Sequence, residues 1–568
     1  MSLPRQTFTP SLYLSRAIDT EPAISVEKHL PTVVRLSILY HVVQGAPAHC
    51  LTPHSSMHFY SMLSSRPRWL RNPRGKSIVK QPLGQDAVNI FHHYVFHQLP
   101  IRLLSIIDRG KGRVRFQLIK RDDLKAEDYI TEKAIASRLS ESVSREKVIR
   151  DLVEQKLRYA IFSHRWLPVG EPTFEMVQEA GLADSGTHAS PGFKKLVNFC
   201  TVAVENGCWL AWADTVCIDK RSSAELEQAI RSMFNWYRSS HVCIVHLAKS
   251  SEMAEIEKDP WFTRGWTLQE LLAPVRIKFY TKDWKPFASI TDFPDDKDND
   301  EIRRAVSKTT GIRDYDLCHF SPGLLNVREK MVWASKRQTT LEEDVAYSLL
   351  GIFDISMPIT YGEGKRAFRR LMEVIVQDCR EWQIFAWAGR HSPYAMAFPE
   401  SPCGYGGEFL GQVDPYVLDP QRPIHRPWDL GYPFYTMKKS GLEIKVLLVE
   451  MMLQIDRKEE PKAGQHCERL TFRPALQDRG YFNDIEAVCD SRFLLYSEWA
   501  VGVISYQTEG NGEMDKTGEL EANKNYVCFL FGRGIYSPYT KWEKVGTMKV
   551  LTICTKEVVR KELETVWL

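Results

Sequence analysis

Between Tyr159 and Tyr280, short apolar runs alternate with helical stretches, and this alternation constrains the fold more than any other feature of the chain. The runs are Tyr159 to Ser163 (YAIFS), Trp209 to Ile218 (WLAWADTVCI), His241 to Leu247 (HVCIVHL) and Val275 to Tyr280 (VRIKFY). Between them lie a stretch of helical spacing from Phe193 to Glu205 that ends at Asn206-Gly207, a helix from Ser222 to Ser239, and the segment Trp261 to Leu272. Strand and helix alternating four times predict an α/β fold, a parallel sheet with helices on both faces. The second helix is the most clearly written. Ser222 with Glu225 gives a capping box, and Leu226, Ile230, Met233, Phe234 and Tyr237 recur on one face. Right-handed crossovers then bring the C-terminal ends of the strands to one edge, where such sheets bind ligands.

The rest of the chain divides by texture. Residues 1–98 read as an N-terminal extension of unassigned role, with short helices expected around Val33 to Val43 and Ala87 to His97. His93 and His97 stand one helical turn apart, but no HExxH pattern or acidic ligand accompanies them, so no metal site is expected. Gly75-Lys76-Ser77 imitates the end of a phosphate loop, yet Leu70 occupies the place of its first glycine. From Ile101, IRLLSII and RVRFQLI flank the turn signal Asp108 to Gly112 and predict a strand pair. A charged helical connector from about Ile130 to Lys156 leads into the alternation. The α/β domain is therefore set at 99–285. A helical subdomain follows at 286–390, carried by amphipathic stretches at Asn326 to Ser335, Glu342 to Phe353 and Gly364 to Cys379. Short β segments such as LEIKVLLVEM, NYVCFLFG and MKVLTIC predict a β-rich C-terminal domain at 400–568.

Composition excludes several classes of function. In 568 residues, 75 Lys and Arg stand against 71 Asp and Glu, a net charge of +4 without basic runs, so no nucleic-acid partner is expected. Twelve cysteines with no CxxC pair and no regular spacing read as reduced thiols of a cytoplasmic protein. No apolar run reaches the roughly 18 residues of a membrane span. The opening residues, with Asp19 and Glu21 and no apolar core, do not read as a secretory signal.

A polar set gathers at the predicted edge. Ser163 and His164 close the first run, Asp214 and Asp219 fall at the end of the second, and Glu270 stands after the third. From Thr267 the residues are good helix formers until Pro274, which places Glu270 on a short helix among Trp266, Leu268, Leu271 and Leu272. A carboxylate so surrounded is either paired or working, and Arg264, six residues earlier, is the candidate for a purely structural ion pair. Adjacent strand residues face opposite ways, which argues against a Ser163-His164 hydrolase dyad. Cys217, inside the second run, reads as a small core residue. Asp214 reads equally as a turn cap, as the partner of a nearby Arg and as a ligand residue, and Asp219 as a cap ahead of the Ser222 helix.

The blocks YAIFSHRW, WADTVCIDK, ELEQAIRSMFNWY, WFTRGWTLQELLAP and RQTTLEEDVAYSLLGIFDISMPITYGEGKRAF, in that order, resemble those of the fungal heterokaryon incompatibility (HET) domain proteins over about Ile101 to Ala388. HET domains are in turn similar to Toll/interleukin-1 receptor (TIR) domains, flavodoxin-like parallel sheets in which a glutamate on the helix after the third strand serves NAD hydrolysis. That glutamate falls in a segment of Trp, two or three residues, Glu and an aliphatic residue, the form of Trp266-Thr267-Leu268-Gln269-Glu270-Leu271. The resemblance implies a TIR-like fold and a catalytic Glu270. From position alone, Ser163, His164, Trp166, Asp214 and Trp266 are expected to hold the dinucleotide, with Trp166 or Trp261 stacking on a base. NAD is then a substrate, a possible NAD glycohydrolase activity, and no cofactor or metal is implied. The implied setting is fungal non-self recognition and programmed cell death in the cytoplasm, with homo-oligomerisation on activation and a recognition partner protein. The alternative is a non-catalytic signalling module that works by self-association or nucleotide sensing. The long loop after Trp166 and the tail beyond the sheet depart from the TIR pattern.

Overall fold

The computed structural model describes residues 82–568 except 109–113, 182, 185–189, 380, 408–434, 439–440, 455–466, 491–495, 507–516 and 535–541. The helix expected at Val33 to Val43, the Gly75-Lys76-Ser77 sequence and most of the turn after Asp108 lie outside the described residues. The helix expected at Ala87 to His97 runs over Gln85–Gln98 and buries Ala87, Phe91 and Val95.

Seven strands form the first sheet: β1 (Arg102–Asp108), β2 (Val114–Lys120), β3 (Tyr159–His164), β4 (Ala183–Asp184), β5 (Leu210–Trp212), β6 (Val242–His246) and β7 (Ile277–Tyr280), in the order β4-β2-β1-β5-β3-β6-β7. Strands β5, β3, β6 and β7 are mutually parallel, as the alternation predicts. The sheet as a whole is mixed rather than parallel, because the β1-β2 hairpin docks antiparallel on β5 and β4 adds antiparallel to β2. Along the parallel part the order is second, first, third, fourth. Direction reverses beside β3, and the crevice at the C-terminal ends of β3 and β6 is a topological switch point.

Two further expectations need correction. The second strand is only Leu210–Trp212, since the backbone turns where Val216 and Cys217 both donate to the carbonyl of Ala213. Cys217 is therefore buried in a turn, not in a strand. The connector from Ile130 to Lys156 is broken into Glu132–Ala136 and a longer Arg145–Lys156 helix, whose first turn is capped by Ser144.

Helices over Asp300–Thr310, Val327–Ser335, Leu350–Phe353 and Arg366–Asp378 share one continuous apolar core with the sheet. The approach is close. A Cβ on Gly351 would lie 2.2 Å from Cβ of Phe234, so the Leu350–Phe353 turn presses directly on the Ser223–Ser239 helix.

The C-terminal region is β-rich, and its large sheet pairs antiparallel throughout the described strands. Period-two alternation divides its two longest strands between two cores. In Gly441–Gln454 and Asn525–Arg533, Ile444, Val446, Leu448, Val527, Phe529 and Phe531 join the core of the helices and first sheet. Leu447, Val449, Met451, Cys528 and Leu530 point the other way into a second core. Among the described residues, no helix is long and apolar enough to cross a membrane.

Candidate active site

Strand β3 is buried along its whole length and ends in two polar side chains that leave by opposite faces. On one face, Ser163 Oγ donates to Glu270 Oε2 at 2.5 Å and accepts from the indole Nε1 of Trp261 at 2.8 Å. On the other, His164 stacks on Phe162 with ring centroids 4.0 Å apart, and Phe162 in turn stacks on Phe199. The two residues thus serve two linked networks rather than one dyad.

The Glu270 helix begins at Thr267, as its sequence predicts. A 3-10 turn over Pro260–Thr263, capped by Asp259, is followed by extended Arg264 and then by the Thr267–Leu272 helix. The extended stretch has a cause outside the segment. Gln338 donates from its backbone to the Thr263 carbonyl and accepts from Gly265, both at 2.7 Å, and a Cβ on Gly265 would meet Thr339 Cγ2 at 2.4 Å. Thr267 Oγ1 donates to the carbonyls of Trp261 (2.6 Å) and Arg264 (2.9 Å) and closes the bend.

Glu270 is 5 % exposed. Burial pushes its carboxyl up to about 7, against the opposing pull of Arg264 and of the Ser163 hydrogen bond. Arg264 acts through space: its guanidinium donates to the His164 carbonyl at 2.6 Å, and among the described residues no ion pair joins it to Glu270.

In the second network His164 Nε2 lies 3.3 Å from Asp214 Oδ1, and Trp166 Nε1 donates to Asp214 Oδ2 at 2.8 Å. Burial alone would raise Asp214, but the His164 hydrogen bond and the Lys220 and Arg264 cations overcome it and hold the carboxyl well below its ordinary range. Burial, reinforced by Lys195, lowers His164. A neutral imidazole facing an ionised Asp214 carries its proton on Nε2. The loop after β3 is pinned by Glu171, which accepts from Lys195 Nζ (2.7 Å) and from the Leu167 backbone (2.8 Å).

Ser163, His164, Trp166, Asp214 and Glu270 therefore converge at the strand ends. Trp266 stands at the start of the Glu270 helix, half-buried against the core. Trp261 is fully buried and packs edge-on against Phe262 and Phe279, so it holds Ser163 and has no free face for a base. Trp166 is 38 % exposed, with Lys220 Nζ 3.8 Å and Arg264 Cζ 5.8 Å from its ring centroid. Asp219 lies apart: it accepts from the Arg221 backbone at 3.1 Å and pairs with the exposed Arg221 side chain. The capping box is half-formed, since Ser222 accepts from Glu225 N but the Glu225 carboxylate accepts from Asp219 N and pairs with Arg102.

Sequence reasoning missed Glu171, Lys195, Lys220 and Arg337. Lys195 had a signal, being a cation beside Phe193, Leu196 and Phe199 on a helix that buries it. Arg337 had none, because only the tertiary fold brings it to Thr267, whose Oγ1 it approaches at 2.8 Å.

Comparison with known proteins points to the same part of the chain. Residues 159–256 match the family described as heterokaryon incompatibility protein (HET), a match that ends before Glu270. Over 248 residues the chain is 39% identical to vegetative incompatibility protein HET-E-1 of Podospora anserina. That alignment takes in 40% of this chain and 17% of the relative, so the chain spans a small part of that protein's length. No solved structure matches the chain.

Proposed function

We propose that this chain, a heterokaryon incompatibility (HET) domain protein, acts in non-self recognition and cell death by hydrolysing NAD to nicotinamide and ADP-ribose, with Glu270 as the catalytic residue. One observation carries the reading. A carboxyl buried at the switch-point edge is held by a single chain of hydrogen bonds, Trp261 to Ser163 to Glu270, and is pushed up to about 7. The resemblance of Trp266-Thr267-Leu268-Gln269-Glu270-Leu271 to the TIR segment supports the same assignment.

The chemistry suits the group. Nicotinamide leaves as a neutral molecule with the bonding pair, the ribose passes through an oxocarbenium-like state, water adds at the same carbon, and one proton is released. The leaving group needs little acid assistance, so the useful form of Glu270 is the carboxylate, whose negative charge in a dry site stabilises the developing cation. Ser163 keeps one carboxylate oxygen in place. Trp166 offers its exposed ring to a base, and the paired His164 and Asp214 fix that indole through its Nε1.

The test is nicotinamide release by the full chain over a concentration series, with Glu270→Gln alongside and both folds checked by circular dichroism. Turnover is expected to fall roughly a hundredfold or more in a folded variant, ~3 kcal/mol of barrier. Equal turnover in the two proteins refutes the assignment. A second reading, a module that signals by self-association without chemistry, takes its support from how closed the site is, with Glu270 5 % exposed and Ser163 and Trp261 wholly buried. Within the catalytic reading the same closure belongs to a chain that is silent until it assembles. No turnover at any concentration, with or without a crowding agent, favours the second reading.

A further inference from the structure

Arg337 enters the site from beyond the first sheet, just after the Val327–Ser335 helix. The segment carrying it is locked to the Glu270 loop: Gln338 bonds in both directions with Thr263 and Gly265, and Arg337 Nη1 donates to the Arg264 carbonyl at 3.0 Å and to Thr267 Oγ1 at 2.8 Å. Its other terminal nitrogen, Nη2, is buried and has no acceptor. A guanidinium donor left unpaired in the interior costs free energy, and the two bonds of Nη1 to the loop leave that cost in place. The side chain also lies within electrostatic reach of Glu270, yet among the described residues no ion pair joins them.

Resting on the catalytic reading of Glu270, we infer that Arg337 is a substrate-binding residue, whose free Nη2 takes an oxygen of the phosphate attached to the ribose under attack. The argument is one of placement and chemistry. Glu270 addresses the sugar, and the phosphate on that sugar is the nearest group with strong acceptors. A planar guanidinium with one nitrogen anchored and the other free suits such an acceptor. Because Arg337 follows the Val327–Ser335 helix, the phosphate subsite is supplied by the helical layer rather than by the sheet.

Two measurements test this, one of them independent of turnover. ADP-ribose binding to the full chain is measured by calorimetry for wild type, Arg337→Gln and Arg337→Lys, with thermal melts to confirm folding. Loss of one charge-assisted bond predicts ~10- to 100-fold weaker binding by the Gln variant and partial retention by Lys. Unchanged affinity in the folded Gln variant, or no binding by wild type, overturns the proposal. Cleavage of NAD is then compared with cleavage of nicotinamide riboside, which lacks the phosphate. Arg337→Gln is expected to raise the KM for NAD by a similar factor and to leave the riboside unaffected. An equal loss on both substrates makes Arg337 a structural residue and overturns the proposal. If wild type binds ADP-ribose through Arg337 but cleaves neither substrate, the catalytic reading fails and the phosphate subsite stands.

Discussion

Strand β3 and the strand Asn525–Arg533 are both buried on two faces, yet they spend that burial differently. From Tyr526 to Phe531 the C-terminal strand is apolar, and alternate residues fill two separate cores. Strand β3 instead closes on Ser163 and His164, and the helix facing it adds Glu270, all three buried. Burying apolar side chains stabilises a strand from both sides, whereas burying a carboxyl, a hydroxyl and an imidazole together costs desolvation that hydrogen bonds only partly offset. One strand is arranged for stability, and the other keeps polar groups where a purely structural sheet would have none.

That contrast can be broken by substitution, and the largest effect belongs to the C-terminal sheet. Phe529→Ala removes a ring that packs edge-on against Phe385 and Phe531 and lies under Lys544 Nζ. Urea unfolding is expected to show a loss of ~3–5 kcal/mol, with NAD cleavage per folded molecule unchanged. A folded variant with normal stability and reduced turnover would erase the distinction between the two strands.

Glu270→Gln is expected to do the reverse, losing turnover without losing the fold. In the folded chain the carboxyl titrates at about 7, above its ordinary 4.5, so its favourable contribution is complete below about pH 4.5 and is lost as pH rises through 7. Glutamine never ionises and escapes that loss. At pH 8 the variant should match wild type or exceed it by up to roughly 3 kcal/mol in denaturant titrations. Arg264 keeps its bond to the His164 carbonyl in either case, so clear destabilisation by Gln would return Glu270 to a structural role.

Ser163→Ala leaves the Trp261 indole without its acceptor and Glu270 without its donor, an expected cost of ~1–3 kcal/mol by thermal or urea unfolding. Since that hydrogen bond is one of the influences lowering Glu270, the rate profile of the variant should shift to higher pH. A profile that stays in place would separate Ser163 from the carboxyl's titration. The last test is Trp166, whose indole donates to the Asp214 carboxylate: Trp166→Ala should cost ~1–2 kcal/mol of unfolding free energy while raising the KM for NAD. A change confined to stability would remove Trp166 from the binding surface.

Much of this arrangement was legible in the sequence, for definable reasons. The parallel strands declared themselves through runs such as YAIFS and HVCIVHL, and their shared edge then brought Ser163, His164, Asp214 and Glu270 together by topology alone. The opposite facing of Ser163 and His164 followed from strand geometry. What sequence could not reach depended on partners far along the chain. The docking of the β1-β2 hairpin onto β5 made the sheet mixed. The pairing of Gln338 with Thr263 and Gly265, which holds the chain extended ahead of the expected Thr267 helix, also came from far along the chain. Trp261 looked like a stacking platform until its burial and its bond to Ser163 gave it a supporting role. Similarly, the capping pair Ser222 and Glu225 was right in kind, but Arg102 draws the carboxylate away from the cap.

The most direct test of Glu270 as a working carboxylate is the pH dependence of nicotinamide release by the full chain, from about pH 5 to about pH 9, beside Glu270→Gln. Release that rises through about pH 7 in wild type and stays near background in a folded variant is the predicted result. Release that is flat across that window, or equal in the two proteins, would contradict it.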